Sequence, residues 1–273
     1  MVPCIVSSHV ITEGYSFPLG FEQYLNENYC DEDNLNFSSK IEIACDLLEL
    51  FHQHRDKRNH PTYLLTDSWF SSKKVIEKSL SYGYHFIGGL KINRCIYPQG
   101  VKVKISDFVK YIQDSDLDIV TLKGKKYKVY RYEGTITGID NAVVLICWEA
   151  DSKRSKPKCI VSTDTELSSV TILSHYSKRW EIETSFLYLK DRLGLKHYQM
   201  RKLKGLKRFW SIVYLVYTYI EVYRSRKSQE QKNFTLGDAI RSIKGVTFKD
   251  LVRFIYHKSI NKSTIDEMFK VAT

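Results

Sequence analysis

The stretch from residue 62 to residue 90 constrains the fold more than any other. Thr62, Tyr63, Leu64, Leu65 and Thr66 form a short apolar run that ends on Asp67. Ser71 and Ser72 then cap a helix expected over 73–81, and Tyr84, His85, Phe86, Ile87, Gly88, Gly89 and Leu90 follow as a second strand-like run. Strand, turn, helix and strand within about thirty residues is an α/β unit, and its two strands should run parallel. A chain built this way needs a sheet covered on its faces by helices.

The remaining sequence is read around that unit. Residues 4–10 and 11–19 are strand-like, and 26–36 is a polar, acidic loop. Ser38 and Ser39 cap a helix expected over 40–54, whose Ile41, Ala44, Cys45, Leu48 and Phe51 recur at helical spacing. From 96 to 164 the texture is β-rich, with strands expected at 118–123, 126–132, 143–149 and 157–162, one helical turn near 105–111, and a basic loop at 153–158. A long helix over 172–193 follows, then an apolar, buried helix over 209–224, a polar linker over 225–233 and two or three short helices. The expected division is a core over 1–95, a β-rich insertion over 96–165, a second part of the core over 166–226 and a helical tail over 227–273. The fold class is α/β, a mixed sheet with flanking helices interrupted by a β-rich insertion.

Composition bears on partners. Lys and Arg number 42 against 31 Asp and Glu, a formal charge of +11 that draws the chain to polyanions. The six cysteines contain no C-x-x-C and no zinc spacing, so they are expected to be reduced and mostly buried. No run approaches the ~18–20 apolar residues of a membrane span, and the opening residues lack the basic start of a signal peptide. The expectation is a cytoplasmic protein with no membrane partner.

The chemistry concentrates in residues 175–190. On one helix at ~100° per residue, with Tyr176 at zero, Arg179 falls near ~300°, Glu183 near ~340° and Lys190 near ~320°. Ile182, Phe186, Leu189 and Leu193 form an apolar arc beside that stripe, while Glu181 faces away. The stripe can present a carboxylate for a divalent metal, with Arg179 and Lys190 gripping phosphates beside it and Tyr176 adding a hydroxyl or a ring. It can equally be the solvated edge of an amphipathic helix carrying an Arg179–Glu183 pair. Further on, 190–208 holds eight cations (Lys190, Arg192, Lys196, Arg201, Lys202, Lys204, Lys207, Arg208) against one acid, Asp191. This is either a DNA-tracking surface or a solvated basic loop.

Spacing adds to that reading. Tyr176, Arg179, Glu183 and Lys190 resemble the Y-(2)-R-(3)-E-(6)-K signature of the insertion-sequence-four family of bacterial DDE transposases, at all four positions. Leu64-Leu65-Thr66-Asp67-Ser68-Trp69-Phe70 is similar to that family's second-Asp strand and turn, and Ile160-Val161-Ser162-Thr163-Asp164 to the strand leading back from its insertion. The resemblance runs from about Ile5 to Ile220 and implies a ribonuclease-H-like fold. It further implies in-line phosphoryl transfer at a two-metal site in which three carboxylates hold two Mg²⁺ ions, with Mn²⁺ as a substitute. By that resemblance Asp67 and Glu183 are catalytic metal ligands, and Tyr176, Arg179 and Lys190 contact DNA near the cleaved transposon end. The implied partners are double-stranded transposon ends and, for a full-length protein, a second copy.

One feature departs from the family pattern: its first Asp precedes the strands with which this sequence opens, and residues 1–30 contain no Asp. Asp31 and Asp33 fall in the polar loop, and Asp46 and Asp56 in or after a helix, so none replaces it. The expectation is a truncated or decayed reading frame whose site is incomplete. The alternatives are an intact protein with a rearranged site, a DNA-binding remnant or domesticated module without chemistry, and a nuclease with its own third carboxylate. Trp69 is expected to pack beneath Asp67, Trp148 to lie in the core, and His175 to cap or pack.

Overall fold

The computed structural model describes residues 4–32, 34–55, 60–150, 156–200 and 202–260. These form two compact units, one of Met1–His9 with Pro18–Leu187, the other of Val10–Phe17 with Tyr188–Thr273.

The α/β unit forms as the sequence requires. Strand β3 (Tyr63–Thr66) and β4 (His85–Leu90) pair in parallel, Tyr63 opposite His85, with helix α3 (Lys73–Ser81) between them in the chain. Ser72 caps α3 by accepting a hydrogen bond from the Val75 backbone N–H. Before this unit, Ser39 opens helix α2 (Lys40–His54) with a capping box completed by Glu42. Helix α1 (Glu27–Glu32) occupies the segment expected to be an irregular loop. The first two strands, β1 (Cys4–Thr12) and β2 (Tyr15–Tyr24), pair with each other in a separate sheet. Their turn falls at Glu13 and Gly14 rather than after Val10.

Strands β5 (Cys95–Ile96), β6 (Val103–Lys104), β7 (Asp118–Leu122), β8 (Lys125–Ile136), β9 (Ile139–Glu149) and β10 (Lys158–Ser162) follow, with the short helix α4 (Ile105–Phe108) after β6. They join β3 and β4 in one sheet of order β3-β4-β10-β9-β8-β5-β6, with β7 on β8. β10 makes the join, antiparallel to both β4 and β9. The β7–β8 hairpin turns through Lys123 and Gly124, both at positive φ. Two such residues make the turn whose twist suits a two-residue hairpin, and glycine takes that conformation without strain.

The central strands are sealed on both faces. Val143, Val144, Leu145 and Ile146 of β9 are fully buried. Val144 and Ile146 pack with Phe86, Val161 and residues of α2 and α3, while Val143 and Leu145 pack with Ile87, Ile160 and Ile172. Ile172 belongs to helix α5 (Ser169–Lys178), so the alternation of β9 feeds two cores. Of the cysteines, Cys30, Cys45, Cys147 and Cys159 are buried, and all six are free thiols. Burial pushes Cys147 and Cys159 up to about 12, leaving them protonated.

The helical expectations after residue 165 need correction. The long helix over 172–193 is two helices, α5 and α6 (Trp180–Asp191), separated at Arg179. The backbone N–H of Arg179 donates to Tyr176 O at 3.1 Å, and that of Ile182 to Arg179 O at 3.3 Å, so the chain tightens by one residue at that joint. Helix α7 (Leu203–Glu230) runs through most of the expected linker, and α8 (Leu236–Ile260) replaces the expected short helices. Nor is α7 buried all round. Leu206, Trp210, Val213, Tyr217 and Ile220 are buried on one face, while Ile212, Leu215 and Tyr219 are exposed on the other. Its apolar residues exceed what one buried stripe can hold. Among the described residues, no helix is long and apolar enough to cross a membrane.

Candidate active site

Asp67 is the first residue beyond β3, where the chain leaves the sheet. Its Oδ1 accepts hydrogen bonds from the backbone N–H groups of Trp69 (2.8 Å) and Phe70 (3.2 Å), so the side chain shapes its own turn. Phe70 packs on the small cluster of Val6, Ile43 and Leu47. The buried Ser71 ties the turn to the neighbouring strand. Its Oγ lies 2.6 Å from the carbonyl oxygen of Gly89 and 3.1 Å from that of Asp67, and Arg94 donates to its own carbonyl at 3.0 Å.

Gly89 makes the close approach possible. A Cβ there would stand 2.8 Å from the Tyr176 hydroxyl and 3.0 Å from the Ser68 backbone nitrogen, both inside contact distance. Glycine therefore lets Tyr176, near the end of α5, reach over β4 to the Asp67 turn. Around that phenol the other functional side chains gather. The Arg179 guanidinium lies 5.6 Å from the Tyr176 ring centroid. Arg179 Nη2 is also 2.6 Å from Oε1 of Glu183 in the first turn of α6.

The electrostatics follow from this geometry. Burial raises the Tyr176 pKa, Arg179 opposes the rise, and the charges of Asp67 and Glu183 both add to it. One hydroxyl thus feels both carboxylates. Burial works against the charge on Arg179, but Glu183 and Tyr176 outweigh it and hold the guanidinium firmly charged. The Arg179 Nε–H is buried without a hydrogen-bond partner among the described residues. Such a donor costs about 1–3 kcal/mol until something accepts from it.

The structure thus brings Asp67, Tyr176, Arg179 and Glu183 into one neighbourhood of the first unit. Lys190 lies on α6 with the second unit, where it is exposed. In that unit Lys196 pairs with Asp191 at 3.4 Å, and Lys202, Lys204, Lys207 and Arg208 are exposed. Lys202 is the N-cap of α7 and makes no side-chain capping bond, and no acid occupies the first turn. Cations at a helix N-terminus oppose its dipole, so this end of α7 is a concentration of positive charge. Arg201, Asp33, Asp56 and residues 153–155 of the basic loop lie outside the described residues.

Several features were not foreseen. Ser71 was read only as a cap and is instead a buried tie. The Gly88-Gly89 pair in a buried strand was a legible signal of close backbone approach. Trp69 does not pack beneath Asp67: it is 59% exposed. Trp148 is half-buried and packs on the core, and His175 stacks on Tyr63 with ring centroids 4.6 Å apart. Asp31 lies on α1 and Asp46 is exposed on α2.

Among the described residues, no three His, Cys, Asp or Glu side chains are grouped so as to hold an ion. Asp67 and Glu183 are one carboxylate short of a set that clamps two cations, and Glu183 is already engaged by Arg179. These two residues alone do not fit a two-metal centre.

A mixed sheet flanked by helices, with one carboxylate at a strand end and another on a helix that follows the β-rich segment, defines a ribonuclease-H-like fold. The Transposase DDE domain family matches residues 38–219, or 182 of 273 residues, a span that contains Asp67, Tyr176, Arg179 and Glu183. The chain belongs to that family, whose activity is of the polynucleotidyl transferase and endonuclease type, serves transposition and generally uses divalent metals. No curated protein matches the chain.

Proposed function

We propose that this chain is the DNA-handling part of a bacterial transposase of the insertion-sequence-four type, with Tyr176, Arg179, Glu183 and Lys190 as its Y-R-E-K signature. The observation that carries this reading is Arg179, held beside the Tyr176 ring and against Glu183 with a buried Nε–H that no described residue accepts from, while Gly89 lets the Tyr176 phenol reach the Asp67 turn. A phosphate oxygen is the acceptor such a group lacks. In this reading Asp67 and Glu183 are the family's catalytic carboxylates for Mg²⁺ or Mn²⁺. Tyr176, Arg179 and Lys190 hold the cleaved strand, and Lys196, Arg201, Lys202, Lys204, Lys207 and Arg208 track duplex DNA at the transposon ends. Residues 96–165 are an insertion between two parts of the core, 1–95 and 166–226, with 227–273 as a tail. The protein acts on bacterial DNA in the cytoplasm, as a dimer.

Two carboxylates do not align two cations, so the second part of the proposal is that these 273 residues bind DNA without cutting it, as a remnant or domesticated module would. A duplex gel-shift titration against salt, run beside nicking of supercoiled plasmid in Mg²⁺ and Mn²⁺, tests both parts. Binding should weaken steeply with salt. Replacing Arg201, Lys202 and Lys204 together by alanine should flatten the log–log slope by up to about 2.7, or ~0.9 per phosphate contact. Absence of duplex binding would remove the DNA-handling reading. Nicking that disappears in Asp67→Ala or Glu183→Ala would show a complete site and end the claim that the chain cannot cut.

A further inference from the structure

Four observations meet at Trp69. It is two residues beyond Asp67 and its backbone N–H donates to the Asp67 carboxylate, so the indole is tied to the candidate catalytic turn. Its side chain is 59% exposed, although Phe70 beside it is packed into a cluster. Exposed indole forgoes one of the larger hydrophobic gains available to a side chain, and it invites an explanation in a way that a single exposed Leu does not. Two ammonium groups attend the ring: Lys40 Nζ lies 5.7 Å and Lys91 Nζ 5.4 Å from its centroid, with Lys40 also 4.7 Å from the Tyr24 ring.

Topology explains how these residues meet. β3 and β4 are parallel, so the residues that follow them, Asp67 to Trp69 and Lys91, emerge at the same edge of the sheet. Lys40 opens α2, where its charge opposes the helix dipole. An aromatic face flanked by two cations beside a carboxylate suits one kind of ligand part: a planar base with phosphates on either side. In a duplex both faces of a base are already stacked, so the indole suits a nucleotide that is out of the stack.

We propose that Trp69, Lys40 and Lys91 form a platform that holds an unpaired nucleotide of the DNA strand beside Asp67, the indole stacking on the base and the two lysines neutralising adjacent phosphates. This rests on the DNA-handling reading above and adds to it a preference for an opened strand.

The test uses the full chain and a forked duplex whose unpaired arm carries 2-aminopurine, a base analogue whose emission falls when it stacks, with a blunt duplex of the same sequence for comparison. Binding of the forked DNA should quench the probe several-fold. Trp69→Ala should abolish the quench and weaken forked DNA about tenfold while leaving blunt duplex unchanged, and Trp69→Phe should restore part of both. The double variant Lys40→Ala/Lys91→Ala should keep the quench and flatten the salt slope on forked DNA by about 1.4, or ~0.7 per single-strand phosphate. Trp180→Ala should keep the quench, since Trp180 is exposed but has no cation at its ring among the described residues. An unchanged quench and fork preference in Trp69→Ala, or an equal loss on both DNAs, would overturn the platform while duplex binding still stood. Failure to bind either DNA would remove the platform and the DNA-handling reading together.

Discussion

Each compact unit of this protein carries a glutamate–arginine pair three or four residues apart in the chain. In the second unit, Glu221 is 3% exposed and all its acceptors are used. Oε1 takes the Ser16 backbone N–H at 2.8 Å and Arg224 Nη2 at 2.7 Å, and Oε2 takes Arg224 Nε at 2.7 Å. Arg224 also donates to the Gly14 carbonyl at 2.7 Å, so the pair fastens the hairpin turn to α7 within that unit. In the first unit, Glu183 is 40% exposed, Arg179 is its ion-pair partner, and the Nε–H of that arginine is unmet among the described residues. The same two side chains thus do different work. Where every polar atom is satisfied and water is excluded, the pair is a fixed part of the framework. Where the carboxylate opens to solvent and the arginine keeps a spare donor, the pair can be exchanged for a ligand.

The largest effect should come from breaking the closed pair. Glu221→Ala leaves Arg224 and the Ser16 N–H without their partner and should cost about 3–5 kcal/mol, a fall in Tm on the order of 10 °C. A loss below about 1 kcal/mol in thermal unfolding would show that water reaches the pair, and would erase the contrast with Glu183.

An intermediate effect should separate the units by pH. Burial lowers the His9 pKa, in the first unit, from 6.5 to about 4. The unfolded chain therefore takes up a proton between those values that the folded chain refuses. Stability is full above about pH 6.5 and declines as the pH falls toward 4, by up to about 3 kcal/mol. Denaturant titrations at pH 7 and pH 4.5 should show this decline in the native sequence and much less of it in His9→Gln. Equal losses in the two would assign the acid sensitivity to other groups.

The smallest effect sharpens the open pair. Glu183→Gln should change stability by less than about 1 kcal/mol, as exposed pairs do. It removes a negative charge beside the expected phosphate path and releases Arg179, so duplex affinity at low salt should rise about two- to five-fold. Weaker binding, measured by the same titration, would mean that Glu183 orients Arg179 for DNA instead of competing with it.

Much of the fold was legible because it is local. Ser39 and Ser72 cap their helices at the expected residues, β3 and β4 pair in parallel, and the strands after residue 115 fall within a few residues of their expected bounds. The tight joint at Arg179 was hidden because Tyr176, Arg179 and Glu183 also fit an unbroken helical period, and spacing alone cannot reveal one tightened turn. The full length of α7 was hidden for the opposite reason. Its polar residues 225–230 read as a linker, yet buried Ser225 and the Glu221–Arg224 pair hold the helix onward.

By itself the sequence determined which side chains could do chemistry here: Asp67 at a strand end, Glu183 with its Arg and Tyr neighbours, and the basic run from Lys190 to Arg208. Those assignments rest on short-range spacing, which neighbouring residues enforce through backbone geometry. Only the tertiary structure decided that Gly89 clears a path for Tyr176 to Asp67, that Ser71 is a tie and not a cap, and that Trp69 faces outward while Phe70 is packed. Each of these depends on which strand lies beside which, and burial is a property of that arrangement: the same aromatic residue is core or contact surface according to what the distant chain places over it.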